Sequence, residues 1–529
     1  MNEYLLLTGI IITICILANR FTDKLPVPSL LVFIAMGMCF GVNGIFKIPF
    51  DNYRASETIC STSLVFIMFY GGFGTNLEEA RSVAVKSILL SSLGVVLTAG
   101  FTGTFVHLFL KSGWLESLLI GSVIASTDAA SVFNILRSKK LDLKYHTASL
   151  LELESGSNDP VSYMLTVILV AMLTGKELSV PLMLFKQVAF GLVCGYLSGK
   201  AAVRIANTVT FDISQGETIF VFASAILAYA FPTVIGGNGY LSVYICGIIM
   251  GNSYIPEKRS LVHFFDVLTG VAQMMIFFLL GLLVTPAQLP AVCIPALCIM
   301  VFLTFIGRPA AVSILLLPFR SSIRQIGIVS WAGLRGVASI VFAIHAVLNN
   351  VVMKYNLFNL VFCIVLMSIA TQGALLPWIS KKLRMIDKSA DVRKTFNDYQ
   401  EESKVNFVKI HIVENHPWTH QLLKDVILPA EFLIVLIIRG KEKIVPNGNT
   451  EFLPGDMLVV AAKEFEDREN LILHETIVGK KHKWKNKALK CISVPVGTLV
   501  VMIDRAGKTI IPDGDTVICE GDTLVIAKF

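Results

Sequence analysis

The chain has 529 residues, 54% of them apolar and 16% charged, with a formal net charge of +7. A soluble globule carries about a quarter charged residues, so this composition points to a membrane protein. The positive excess gathers in short loops between apolar runs, which bears on membrane topology and not on nucleic acid.

The apolar runs are roughly 17 to 28 residues long, enough for each to cross a hydrocarbon core of about 30 Å. They predict about thirteen membrane helices, near 4–20, 25–41, 57–72, 83–110, 114–136, 148–174, 181–204, 216–231, 237–252, 262–285, 290–317, 323–345 and 356–380. The first run lacks the basic leader and small-residue cleavage site of a secretory signal and reads as a retained helix. Arg20, Lys24, Arg81, Lys86, Arg137, Lys144, Lys258, Arg320, Arg324, Lys381 and Lys382 fall in loops of one side, whereas the other side has few bases, such as Lys47 and Lys111. The positive-inside rule therefore places the N-terminus outside and the C-terminal tail in the cytoplasm. Ten cysteines, among them Cys15, Cys39 and Cys194, form no CxxC pair and read as buried thiols. His107, His263 and His345 stand alone near helix ends and read as interfacial.

Two predicted helices are interrupted. The fifth carries Ser126-Thr127-Asp128 inside an apolar run, and the twelfth carries Gly333-Leu334-Arg335-Gly336. Lying seven helices apart, they suit two inverted repeats, and discontinuous helices at matching positions point to a transport site near the bilayer midplane. Asp128 would offset the partial positive charge of a half-helix N-terminus.

Between them, the sixth helix contains Glu154-Ser155-Gly156-Ser157-Asn158-Asp159-Pro160. Ionisable residues inside a membrane helix are costly and mark a pathway or a paired network. Ser155, Asn158 and Asp159 stand at i, i+3 and i+4, so their oxygens share one helix face. Pro160, lacking an N–H, leaves the Gly156 carbonyl without its helical partner. Hydroxyl, amide, carboxylate and carbonyl oxygens are hard ligands suited to a group I cation, and Thr127 is expected to add a carbonyl or hydroxyl. Glu154 lies about 140° around the helix from Asp159, outside the same cage. It is expected to form a structural ion pair with Arg335, because a buried carboxylate needs a partner. A single buried carboxylate can be neutralised by a proton or by a metal cation, so the two compete. If only the loaded site crosses the barrier, the flows exchange, most simply one for one and electroneutrally.

After a polar connector at 384–404, a repeat appears with an offset of 66 residues: Ile444-Val445-Pro446-Asn447-Gly448 returns as Ile510-Ile511-Pro512-Asp513-Gly514. Two strand-rich copies follow from it, 405–463 and 471–529, each with one short helix around Leu422 or its equivalent. The expected fold is thus an all-α polytopic membrane domain, 1–383, with tandem cytoplasmic α+β domains. A tail-gated potassium channel or uptake subunit is the competing reading, but the chain has no TVGYG-like filter segment. An enzyme is not expected, since no Walker loop, zinc motif or nucleophile elbow occurs.

Ser126-Thr127-Asp128-Ala129-Ala130, Glu154 to Pro160, Gly237-Asn238-Gly239, Gly281 to Pro286 and Trp331 to Gly336 together resemble the NhaP branch of the first monovalent cation:proton antiporter family, over residues 5 to 380. The resemblance implies exchange of K+ or Na+ for H+ across the bilayer. It also implies a homodimer whose core domain moves against a dimerisation domain, an Asn–Asp pair at the ion site, and the Glu154–Arg335 pair. Each tail copy is similar to the TrkA-C domain of potassium-conductance regulators, which favours K+. For that domain the resemblance implies a regulatory nucleotide, cyclic di-AMP foremost, contacting Val445-Pro446 and Ile511-Pro512, with Arg439 and Arg505 as further candidates. One departure is Tyr70, where many relatives have an acid.

Overall fold

The computed structural model describes residues 9–387 and 405–528, apart from 10–11, 15, 18–28, 43, 49, 51, 76, 129–130, 133–134, 137–140, 176–178, 210–214, 256–257, 415, 427, 429–431, 441, 464–471, 480–481, 493–497, 506–507 and 511. The chain divides into two compact units, Met1–Glu402 and Ser403–Phe529.

The first unit is helical. Its main helices are α1 (Ser29–Phe40), α2 (Tyr53–Gly74), α3 (Ala84–Leu110), α4 (Trp114–Val123), α5 (Thr147–Leu173), α6 (Val180–Thr208), α7 (Gly216–Val234), α8 (Gly239–Gly251), α9 (Lys258–Leu283), α10 (Pro286–Phe319), α11 (Ile323–Trp331), α12 (Val337–Leu348) and α13 (Leu357–Lys382). Among the described residues, α3, α6, α7, α10, α13 and the Ser260–Leu283 part of α9 are long and apolar enough to cross a membrane. The predicted helix at 4–20 falls mostly outside the described residues.

Local chemistry sets the helix ends. Asn52, Asn238, Ser322 and Asn356 each accept a backbone N–H in the first turn of α2, α8, α11 and α13, the usual N-cap arrangement. Asn238 also donates from Nδ2 to the Pro160 carbonyl at 2.8 Å, which ties the start of α8 to the middle of α5. The α2–α8 crossing is close enough that Gly72 and Gly247 face backbone carbonyls of the opposite helix, with no space for a β-carbon. Beyond α13, Ile386–Asp387 (β2) pairs antiparallel with Asp142–Leu143 (β1), and Lys144 N–H donates to Met385 O at 2.8 Å. Nine cysteines are described, all free; Cys60, Cys194, Cys246 and Cys363 are buried as expected, whereas Cys293, Cys298 and Cys491 are exposed.

The second unit holds two four-stranded antiparallel sheets of one topology. The first runs β3-β6-β4-β5, from Val405–His411 (β3), Phe432–Arg439 (β4), Glu442–Ile444 (β5) and Met457–Lys463 (β6). The second runs β7-β10-β8-β9, from Ile472–Ile477 (β7), Thr498–Arg505 (β8), Lys508–Ile510 (β9) and Thr523–Lys528 (β10). Even the irregularity repeats: the ladder skips Val435 in one copy and Val501 in the other. Ile412, Phe452 and Leu458 fill the first core, and Val478, Ile518 and Leu524 fill the second. The short helix expected near Leu422 is a single 3-10 turn, Leu423–Asp425, matched by Leu489–Cys491. Backbone bonds of Leu423 and Lys424 to Thr450 and Gly448 hold it against the loop, which leaves no length for an α-helical turn.

Candidate functional site

The two interruptions meet in space. After α4 ends at Val123 the backbone turns and is non-helical at 126–128, and the α11–α12 interruption spans 333–336. Asp128 N–H donates to Leu334 O at 2.8 Å, joining the two. The Asp128 carboxylate accepts from Ser131 N (3.1 Å) and Ser131 Oγ (2.6 Å), capping the turn that follows. Its Oδ2 faces the α-carbon of Gly336 closely enough to leave no room there for a side chain.

On the other side stands α5. Ser126 donates from Oγ to Asp159 Oδ1. Asn158 Nδ2 donates to Thr127 Oγ1 at 2.5 Å, and Ser155 Oγ donates to the Thr127 carbonyl at 2.5 Å. Asn158 and Glu154 are wholly buried, and Ser155, Asp159 and Thr127 nearly so. The structure thus brings together Thr127, Ser155, Asn158 and Asp159, the residues expected to hold the ion. It adds Ser126, which sequence reasoning passed over although its hydroxyl sits in the same interruption. Asn158 Oδ1 has no partner among the described residues, so one amide oxygen remains to offer.

The expected Glu154–Arg335 pair is corrected. Glu154 Oε1 pairs instead with Arg308 Nη2 at 2.5 Å, the two side chains 1% and 2% exposed. Arg308 follows a π-helical turn at Leu303–Gly307, which rotates α10 locally. Arg335 donates from Nη1 to the carbonyls of Ala125 (2.7 Å) and Ser126 (2.8 Å), beyond the C-terminal end of α4. A cation there offsets the partial negative charge of a half-helix end, a role complementary to that of Asp128. A lone arginine inside the apolar 290–317 run was the available signal for Arg308. Tyr70 is buried in α2 and donates to Asp266 Oδ1 on α9 at 3.3 Å.

In the tail, Arg439 forms a bidentate pair with Asp456 (Nε–Oδ1 and Nη2–Oδ2, both 2.8 Å) and also donates to Glu451 O at 2.9 Å. Arg505 does the same with Asp522, both bonds 2.8 Å, and with Val517 O at 2.7 Å. Burial opposes ionisation of Asp456, but the Arg439 hydrogen bonds, the Leu453 N–H and the Arg439 charge together hold it below its ordinary range. For Asp522 the Arg505 hydrogen bonds lead, and with the Cys519 N–H they have the same result against burial. These arginines therefore act first as internal clamps. Val445 is exposed and Pro446 and Pro512 half-buried, while Ile511 lies outside the described residues.

A family model described as "Sodium/hydrogen exchanger, transmembrane" matches residues 9–382, most of the chain. The chain belongs to the sodium/hydrogen exchanger family. A second model, the TrkA-C domain, matches residues 407–464. The K(+)/H(+) antiporter NhaP of Alkalimonas amylolytica is 34% identical over 470 residues, covering 87% of this chain and 81% of that protein. The K(+)/H(+) antiporter NhaP2 of Shewanella sp. (strain ANA-3) is 31% identical over 472 residues, covering 88% and 82%. The Na(+)/H(+) antiporter ApNhaP of Aphanothece halophytica is 25% identical over 418 residues, covering 75% and 77%. Among solved structures, the sodium proton antiporter MjNhaP1 of Methanocaldococcus jannaschii at pH 8 superposes with a TM-score of 0.64 at 20% identity, over 72% of this chain and 99% of that one. This last likeness establishes an exchanger-type helical fold for the membrane unit.

Proposed function

We propose that the chain is a secondary transporter, not an enzyme, that exchanges a monovalent cation for protons, K+ in preference to Na+, with Asp159 as the charge for which the two compete. The observation that carries this reading is the convergence of Asp159, Asn158, Ser155, Ser126 and Thr127 where two interrupted helices cross. Interrupted helices turn backbone carbonyls and half-helix ends toward a midplane site, and here Asp128 and Arg335 hold those ends. With neither cation nor proton bound, the Asp159 carboxylate accepts from Ser126. A cation replaces that bond by taking the oxygens of Asp159, Asn158, Ser155 and Thr127, and a proton neutralises the same carboxylate directly. With one such carboxylate the exchange is one for one and electroneutral. Preference for K+ is supported by the relatives named K(+)/H(+) antiporters and by the TrkA-C match.

The same reading takes the membrane unit as thirteen helices in two inverted repeats, 1–383, in a bacterial cell membrane. The N-terminus is outside, the connector 384–404 and tail copies 405–463 and 471–529 are cytoplasmic, and the protein is a homodimer. Loop charges support the orientation and the family resemblance the assembly. The tail regulates exchange, with cyclic di-AMP as its ligand at the Val445-Pro446 and Pro512 turns; a ligand does so through unequal affinity for active and inactive states. Dequenching of a pH-sensitive dye in everted vesicles tests the substrate assignment. K+ is expected to evoke exchange at lower concentration than Na+ across pH, and exchange with Na+ but not K+ at any pH would overturn it.

A further inference from the structure

On the face of the membrane unit opposite the end of α13 lies a cavity of about 310 Å³, lined by Glu57, Ser61, Thr62, Val65 and Tyr229 among others. Its place follows from connectivity: α12 runs from the interruption at Gly336 to this face, and α13 returns from it to Lys382. Glu57, which lines the cavity, has its Oε1 2.8 Å from His345 Nδ1, and the two side chains are 28% and 26% exposed. Glu57 and Ser61 stand at i and i+4 of α2, so carboxylate and hydroxyl share one face.

A cluster of rings separates this cavity from Asp159. Tyr163 follows Asp159 by one turn of α5, and its ring centre lies 4.9 Å from Tyr240, 5.5 Å from Phe342 and 5.9 Å from His345. The Tyr240 ring centre lies 5.0 Å from that of Tyr229, which lines the cavity. The titratable groups facing the Glu57–His345 pair are Tyr163 of α5, Tyr229 of α7 and Tyr240 of α8, with Arg54 one turn back on α2. Asp266 of α9 is bound to Tyr70, thirteen residues further along α2 and about 20 Å away.

We propose that Glu57, Ser61 and Thr62 form a second, peripheral subsite for the transported monovalent cation, separated from Asp159 by the Tyr163–Tyr240–Phe342 cluster. Carboxylate and hydroxyl oxygens suit a partly hydrated group I ion, and the cavity has room for its remaining waters. In the absence of cation His345 holds Glu57 through the 2.8 Å contact of Nδ1 with Oε1, and an entering cation takes its place. The subsite concentrates cation on one side of the ring cluster, so its effect is confined to that face.

The inference rests on the exchange reading. The experiment compares initial exchange rates in right-side-out and everted vesicles, varying K+ on one face at a time. Glu57→Gln is expected to raise the KM for K+ about ten-fold at the cavity face and leave the KM at the opposite face unchanged. His345→Gln, which frees Glu57, is expected to lower the KM at the cavity face only. An unchanged KM, or an equal rise at both faces, overturns the subsite. Should Glu57→Gln fail to insert, His345→Gln alone decides between these outcomes. An Asp159→Asn arm separates the two hypotheses: exchange surviving that change sinks the primary site, whereas a symmetric KM in the Glu57 variant sinks only this one.

Discussion

The buried charges of the membrane unit and those of the tail are satisfied to different degrees. In the tail, both oxygens of Asp456 and both of Asp522 are engaged by an arginine fork, and the arrangement recurs 66 residues on, from Arg439 to Arg505. In the membrane unit, Glu154 Oε2, Asn158 Oδ1, Arg308 Nε and Arg335 Nε lack partners among the described residues. A saturated polar network fixes one structure, whereas one with spare capacity, in a setting where each spare group is costly, is maintained for a task.

The largest effect that sharpens this contrast is at Asp159. Asp159→Asn is expected to abolish exchange without loss of insertion, since an amide neither titrates nor balances a cation; dye dequenching in everted vesicles reads it. Next is the Glu154–Arg308 pair. Removing either partner should cost about 3–5 kcal/mol, and removing both should cost less, because no uncompensated charge is left buried. A double-mutant cycle on thermal stability checks this, and stronger coupling of Glu154 to Arg335 than to Arg308 would refute the observed pairing.

The tail clamps should show smaller, equal effects in both copies. Arg439→Ala and Arg505→Ala are each expected to lower the stability of the 403–529 unit by about 2 kcal/mol, read as a thermal midpoint. Because Asp456 and Asp522 are held below their ordinary range, their contribution is fully present above the unfolded carboxylate value of about 4. It is lost as pH falls through the still lower folded values. The wild-type midpoint should therefore fall below about pH 4, and the two alanine variants should lose part of that dependence. The smallest effect concerns transport by a chain ending after Lys388: exchange persists, but its dependence on pH, cation or nucleotide changes. An inserted but inactive truncation would show that the tail belongs to the transport machinery.

Much of this contrast was legible in the sequence where one period governs the geometry. Helical spacing alone aligned Ser155, Asn158 and Asp159, and the 66-residue offset foretold two matching sheets. What was hidden depends on contacts between distant segments. Nothing local distinguishes Arg308 from Arg335 as the partner of Glu154, because that choice follows from the rotation of α10 at its π turn. The pairing of His345 with Glu57, 288 positions apart, was likewise invisible to a reading of His345 as interfacial. The Arg–Asp clamps were open to discovery, since both members recur at the same offset, but the resemblance to a ligand-binding domain points Arg439 and Arg505 toward a ligand and not toward Asp456 and Asp522.

The short β1–β2 ladder has a mechanical meaning. The last described backbone before the connector is hydrogen-bonded to the segment that leads, four residues later, into α5, the helix that carries Asp159. Ile386 and Asp387 are therefore tied both to the end of α13 by the chain and to the foot of that helix by the ladder. The clasp thus gives the foot of the ion-bearing helix and the end of α13 one shared anchor.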